Sequence, residues 1–122
     1  MRVIPAAEAA DAGDQTPPTF TGAGFIRHLQ EWPAAAEDKL SVVTFCPGGR
    51  THWHEHEHGQ LLIVTAGLGF VAVMGAEPVA ISAGDLVVAA PGERHWHGAA
   101  PGSSLTHLAV SRGVTTWFGP VD

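Results

Sequence analysis

From Lys39 to the C-terminus, proline and glycine cut the chain into short apolar runs, and no other feature limits its fold as strongly. The runs cover residues 40–46, 61–65, 68–74, 79–82, 86–90, 95–99, 105–110 and 115–118. They are rich in Val, Ile, Leu, Phe and Thr. Turn sequences such as Pro47-Gly48-Gly49, Ala83-Gly84, Pro91-Gly92 and Ala100-Pro101-Gly102 separate them. Short β-branched segments at even spacing predict an antiparallel sandwich or barrel. No amphipathic segment of helical length follows residue 39. Runs 61–64 and 86–90 are apolar on both alternating faces, which predicts strands covered by the barrel interior on one side and by a partner subunit on the other.

The 122 residues are one domain's worth of chain. Hydrophobic residues make up 45% and charged residues 15%, a balance that favours a folded core. Six basic against twelve acidic residues give a formal charge of −6, so the basic footprint of a nucleic-acid binder is missing. The single cysteine, Cys46, excludes an internal disulfide framework and cysteine-rich zinc sites. It is expected as a small buried apolar residue. The first twelve residues hold Pro5, Glu8 and Asp11 among alanines, unlike a secretory signal. Residues 61–76 carry Gly67, Gly69 and Gly75 and are too short to span a bilayer as a helix. A cytoplasmic protein that binds neither membrane nor nucleic acid is the expectation.

Residues 1–24 are weakly patterned, and Pro17-Pro18 forbids a helix there. They are read as an extended N-terminal arm, with the β-barrel domain covering 25–122. Residues 27–38 leave room for one helical turn, interrupted by Pro33.

Eight histidines stand out in so short a chain, and six of them fall in two clusters. The first is His52-Trp53-His54-Glu55-His56-Glu57-His58-Gly59-Gln60, and the second is His95-Trp96-His97. In a strand, residues i and i+2 share a face. His54 and His56 therefore point one way, as do His95 and His97, while Trp53 and Trp96 point the other. Two imidazoles from one strand, a third from another and one further donor can close around a divalent cation. Imidazole suits manganese, iron, zinc, nickel, cobalt and copper alike. His52 has the parity of His54. Glu55 and Glu57 have the opposite parity and are expected, with His58, on an outer face. Asp85 is read as a turn residue, Trp53, Trp96 and Trp117 as core or interface, and His28 as exposed.

The spacing of glycine, proline and histidine resembles the paired signature of the cupins, small metal-binding β-barrels of jelly-roll type. Gly48, His54 and His56 fit the first half, Gly-X5-His-X-His-X3-4-Glu, with Gln60 where the family usually has Glu. Residues 84–95 follow the second half, Gly-X5-Pro-X-Gly-X2-His, with a slight departure. The resemblance covers about residues 40–111 and implies metal ligands at His54, His56, Gln60 and His95. Further matches run through residues 47–51, 59–65, 91–101 and 106–109. In these the chain is most similar to the bacterial manganese cupin hydroxynitrile lyases, which split cyanohydrins into an aldehyde and hydrogen cyanide. It also resembles the carboxymuconolactone-decarboxylase-associated cupins and manganese cupins that cleave alkenes oxidatively. The likeness implies active-site roles for Thr51, His97 and His107. His52 and Glu57-His58 depart from the lyase pattern, and both flank the ligand segment.

A neutral Gln60 leaves the full charge of a divalent cation in place, which suits Lewis-acid work on a hydroxyl, whereas a carboxylate would better support oxygen chemistry. The expectation is therefore a metal-dependent lyase of hydroxynitrile lyase type holding one divalent metal per chain, manganese first and iron, zinc, nickel or cobalt after it. Its partners would be a small-molecule substrate and a second copy of the chain, as a homodimer or homotetramer. The alternatives are a manganese or iron dioxygenase, and a metal cupin that binds a small ligand without turnover.

Overall fold

The structure, a computed structural model, describes residues 1, 3, 5, 16–28 and 37–122. Its elements in chain order are β1 (Phe20–Thr21), β2 (Gly24–His28), β3 (Lys39–Phe45), β4 (Arg50–Thr51), β5 (His54–His56) and β6 (Gln60–Val73). They continue with β7 (Val79–Ser82), β8 (Leu86–Ala89), β9 (His95–Ala99), β10 (Leu105–Ser111) and β11 (Thr115–Trp117). Among the described residues there is no helix, and the antiparallel barrel expected from the runs forms, of the jelly-roll type that the resemblance implies. All pairings are antiparallel.

Two sheets share one long strand. The first half of β6 pairs with β8 and β10, and β10 continues to β3 and β2. The second half of β6 pairs with β7 and β9, and β9 carries β4, β5 and, through β5, β11. The turn expected at Ala66-Gly67 is instead a bend within β6. The register to β10 shifts between Thr106 and His107, so Val64 and Ala66 face consecutive partners and Thr65 bulges out. Gly67 has φ near +85°, and a Cβ there would strike the Ser104 carbonyl. A strand that the sequence appears to break therefore passes from one sheet to the other.

Strict alternation builds the interior. In β3 the inward positions are Lys39, Ser41, Val43 and Phe45, and in β10 they are Leu105, His107, Ala109 and Ser111. At one end Phe20, Phe45, Val64, Ile81 and Leu105 form an apolar plug, with the Phe20 and Phe45 rings 4.9 Å apart. The histidines fill the other end. β9 is buried along its whole length: Trp96 packs on the outer face beneath Arg50, whose guanidinium lies 5.2 Å from the ring centroid.

Residues 16–24 of the expected arm are described. Phe20 enters the core from β1, which pairs with β4. Residues 2, 4 and 6–15 lie outside the described residues, as do 29–36 of the segment expected to hold a helical turn; Arg27 and His28 end β2. Cys46 is half-buried, and Asp85 caps its turn by accepting the Ser82 N–H at 2.8 Å.

Phe45 is fully buried between the plug and the histidines. Phe45→Ala is expected to lower stability by about 3–5 kcal/mol in urea unfolding, as for a large cavity in a small core.

Candidate metal centre and active site

Each sheet contributes one side of the site. His54 and His56 come from β5, and His95 and His97 from β9, with His54 and His95 directly opposite one another. From the other sheet, Gln60 opens β6 and faces Ser111 of β10, and His107 lies four residues back along β10. All six, with Thr51, are buried. The ring centroids of His54 and His95 are 4.4 Å apart, those of His54 and His56 5.1 Å, and those of His56 and His95 5.5 Å.

Hydrogen bonds fix how each ring presents itself. His54 Nδ1 lies 2.9 Å from the His52 carbonyl, and His95 Nδ1 lies 2.8 Å from the Glu93 carbonyl. A carbonyl only accepts, so both rings carry their proton on Nδ1 and leave Nε2 as a lone pair. His56 Nδ1 reaches the Thr115 hydroxyl at 3.0 Å, and its buried Nε2 has no hydrogen-bond partner. Gln60 donates from Nε2 to Ser111 Oγ at 2.9 Å, which turns its carbonyl oxygen toward His95 Nε2, 3.0 Å away. Three imidazole nitrogens and one amide oxygen are thereby aimed into one space. Ligands to a metal are held in this way, each by a hydrogen bond on its far side. One donor atom each from His54, His95 and His97 also lies within 4.8 Å of the other two, so His97 borders the same space.

Burial drives the electrostatics. It pushes the His54 pKa well below 6.5, aided by His95, and brings His56 down to about 4, with His95 and Lys39 adding to the effect. Burial lowers His95 too, against the raising effect of the Glu93 carbonyl. His97 falls well below its ordinary value through burial and then through His107, and burial brings His107 to about 4. The rings are therefore neutral near pH 7, the form that binds a cation or accepts a proton.

His97 and His107 form a second unit. His107 Nε2 and His97 Nδ1 are 3.0 Å apart, joining the two sheets through the interior. Phe45 lies beneath both rings at 5.8 Å. Buried His97 Nε2 and His107 Nδ1 have no hydrogen-bond partner among the described residues. Thr51 Oγ1 accepts the His97 backbone N–H at 3.3 Å and lies 3.4 Å from His54 Nδ1, so it ties the two units together.

The cavity leading to these groups has about 540 Å³ of empty space, counting the part open to solvent, and Ile26, Val43, Ala109 and Trp117 are among its apolar walls. His97 and Thr51 line it; His107 stands behind His97. Thus every residue expected at the site is brought together. Glu55 and Glu57 turn outward as expected, Glu55 toward Arg94 at 4.0 Å and Glu57 toward His58 at 3.5 Å. His52 contributes its carbonyl rather than its ring. Two expectations fail. His28 is half-buried and lines the cavity, because it has the inward parity of Gly24 and Ile26 on β2. Trp117 is a wall of the site and not of the core: β11 pairs with β5 opposite His54 and brings the indole 4.5 Å from that ring. Ser111, Thr115 and Lys39 were not anticipated. Inward parity at the ends of runs 105–110 and 40–46 was the available signal for Ser111 and Lys39.

Comparison with known proteins agrees with this geometry. The sequence matches the cupin domain over residues 41–110. A protein named (R)-mandelonitrile lyase, from Granulicella tundricola, is 50% identical over 91 residues, spanning 75% of this chain and 70% of that one. A cupin-like protein from Thermotoga maritima superposes with a TM-score of 0.83 at 36% identity, covering 91% of this chain and 87% of its own. A polyketide cyclase from Streptomyces resistomycificus shares the fold, with a TM-score of 0.77 at 20% identity over 100% of this chain and 86% of its own.

Ser111→Ala is expected to weaken metal binding by roughly 10- to 100-fold, because the Gln60 amide loses the partner that orients it. Ser111→Thr keeps a hydroxyl and is expected to restore most of the affinity. Competition with a chelating dye, followed by elemental analysis, measures both.

Proposed function

Because the chain belongs to the cupin family, we propose that it is a metal-dependent lyase acting on a small hydroxylated molecule, with cyanohydrins as the leading substrate class. The observation that carries this reading is the buried His97–His107 pair beside the converging donors of His54, His56, Gln60 and His95. It supports a neutral base next to a site for a Lewis acid. The relative named as a mandelonitrile lyase supports it.

In this reading His54, His56, Gln60 and His95 hold one divalent cation per chain. Manganese is the first candidate, since an amide oxygen joins the imidazoles and carbonyl oxygen suits manganese. When bound, the cation supplies Lewis acidity that lowers the pKa of a neighbouring hydroxyl. The remaining work falls to the protein. The apolar walls hold the body of the substrate and exclude water, so the hydroxyl meets His97 Nε2. His97 takes the hydroxyl proton there while its Nδ1 proton passes to His107 Nε2, so the positive charge moves to His107, and it returns by the same route when cyanide is protonated. The electron pair of the broken O–H bond forms the carbonyl. The pair of the C–CN bond leaves with cyanide, which takes a proton back from His97 as hydrogen cyanide. Thr51 holds the backbone at His97 during this exchange. His97 is the catalytic residue, and His107 positions it and shares its proton.

His97→Ala is expected to cut cyanide release from mandelonitrile by roughly 10²- to 10⁴-fold with the metal retained. His107→Ala should lower kcat and shift the pH profile of kcat, because His97 loses its proton partner. Oxygen uptake on an aromatic alkene, without cyanide release, would replace this reading with the dioxygenase one.

A second copy of the chain is the proposed partner. Leu86 and Val88 are 66% and 77% exposed on the outer face of β8, beside half-buried Leu61 and Ile63 of β6. So much adjacent apolar surface is unusual on a monomer. Val88→Asp is expected to convert a homodimer into monomers in sedimentation velocity, and a wild type that is already monomeric rejects the interface. For location, among the described residues no helix is long and apolar enough to cross a membrane.

A further inference from the structure

Lys39 is the chain's only lysine, and it stands at the mouth of the cavity. It opens β3 with the same inward parity as Ser41, Val43 and Phe45, so its stem starts on the inner face of the sheet and not on the outer one. The register fixes its place further. Ser111 is the cross-strand partner of Lys39 on one side and of Gln60 on the other. Lys39, Ser111 and Gln60 thus form one row across three strands. With neighbouring strands spaced about 4.8 Å apart, the Lys39 and Gln60 backbones are separated by roughly 10 Å. A four-carbon stem is long enough to bring the ammonium over the opening between them.

That ammonium has no carboxylate partner among the described residues. The adjacent acid, Asp38, is already engaged: it accepts Arg112 Nε at 2.9 Å and the Gly113 N–H at 2.6 Å. Glu55 and Glu57 do not line this cavity: Glu55 faces Arg94, and Glu57 faces His58 and accepts the Val114 N–H at 3.2 Å. The protein as a whole carries a charge of −6, so any attraction for an anion must be local to this mouth. Between the ammonium and the imidazoles Val43, Ala109 and Trp117 give the walls an apolar body, with the small hydroxyls of Ser41 and Ser111 beside it.

We propose that Lys39 sets substrate class, and that the natural substrate carries an anionic group, a carboxylate, at the end of an apolar ring or chain remote from its reacting hydroxyl. Reacting end, apolar body and anionic end then match the imidazoles, the walls and Lys39 in that order. The inference rests on the reading of this cavity as the reaction site, but not on cyanide being the leaving group.

Binding to the metal-loaded full chain tests it, with 4-formylbenzoate and its methyl ester as probes of equal body and different charge. In isothermal titration calorimetry the wild type is expected to bind the anion about five- to tenfold more tightly than the ester at low salt. That preference should shrink in about 0.5 M salt. Lys39→Met should equalise the two affinities, and Lys39→Arg should keep the preference. Equal affinities in the wild type overturn the proposal. So does a preference that survives Lys39→Met, since the carboxylate would then be held elsewhere, on the metal for instance. Cyanide release from mandelonitrile is followed on the same preparation. Its absence beside an intact charge preference counts against the lyase reading and for Lys39.

Discussion

Everything at the functional end of this barrel depends on imidazoles that are out of water and must stay uncharged. Burying an ion without a partner costs far more than burying a hydrogen-bonded neutral ring. The fold meets this by giving each ring one oxygen or nitrogen partner: the His52 carbonyl for His54, the Thr115 hydroxyl for His56, the Glu93 carbonyl for His95 and the neighbouring ring for His97. The same contact that makes a ring tolerable in the interior decides which nitrogen it offers. Stability and ligand chemistry are therefore one arrangement here. The carbonyls that set His54 and His95 belong to residues two positions earlier, so the local backbone of each histidine segment supplies its own orientation.

The sequence made the convergence of these side chains legible because strand parity and turn spacing are local. His54 with His56, and His95 with His97, share a face whatever the rest of the chain does, and Gly48, Pro91 and Gly92 mark where the strands start. What sits behind those ligands was not legible. Thr115 meets His56 across 59 positions, and Ser111 meets Gln60 across 51. Both contacts exist only once two sheets are stacked, and serine or threonine in a strand carries no distinguishing signal by itself. Trp117 was hidden for a similar reason: as an aromatic in a terminal apolar run it looks like core, and only the pairing of β11 with β5 shows otherwise.

Fold topology was legible to the same depth. Short apolar runs at even spacing, cut by proline and glycine, pointed to strands and to a sandwich or barrel, and the alternation in β3 and β10 shows which side chains fill it. The split between 61–65 and 68–74 was misleading, because Ala66-Gly67 has the composition of a turn. A bulge at Thr65 and a left-handed Gly67 let the strand bend and continue, an outcome decided by the Ser104 backbone lying against it. The four strands outside the apolar runs, β1, β2, β4 and β5, are short or polar and are held by their neighbours more than by their own propensity.

That continuous β6 also governs how the site can behave. It begins with Gln60 at the candidate metal centre and ends paired with His95 and His97 of β9, so amide and imidazoles are fastened to a single beam. Neither sheet can swing relative to the other without bending it. Among the described residues the candidate site is therefore built like a keel rather than a hinge, its two halves being parts of one piece.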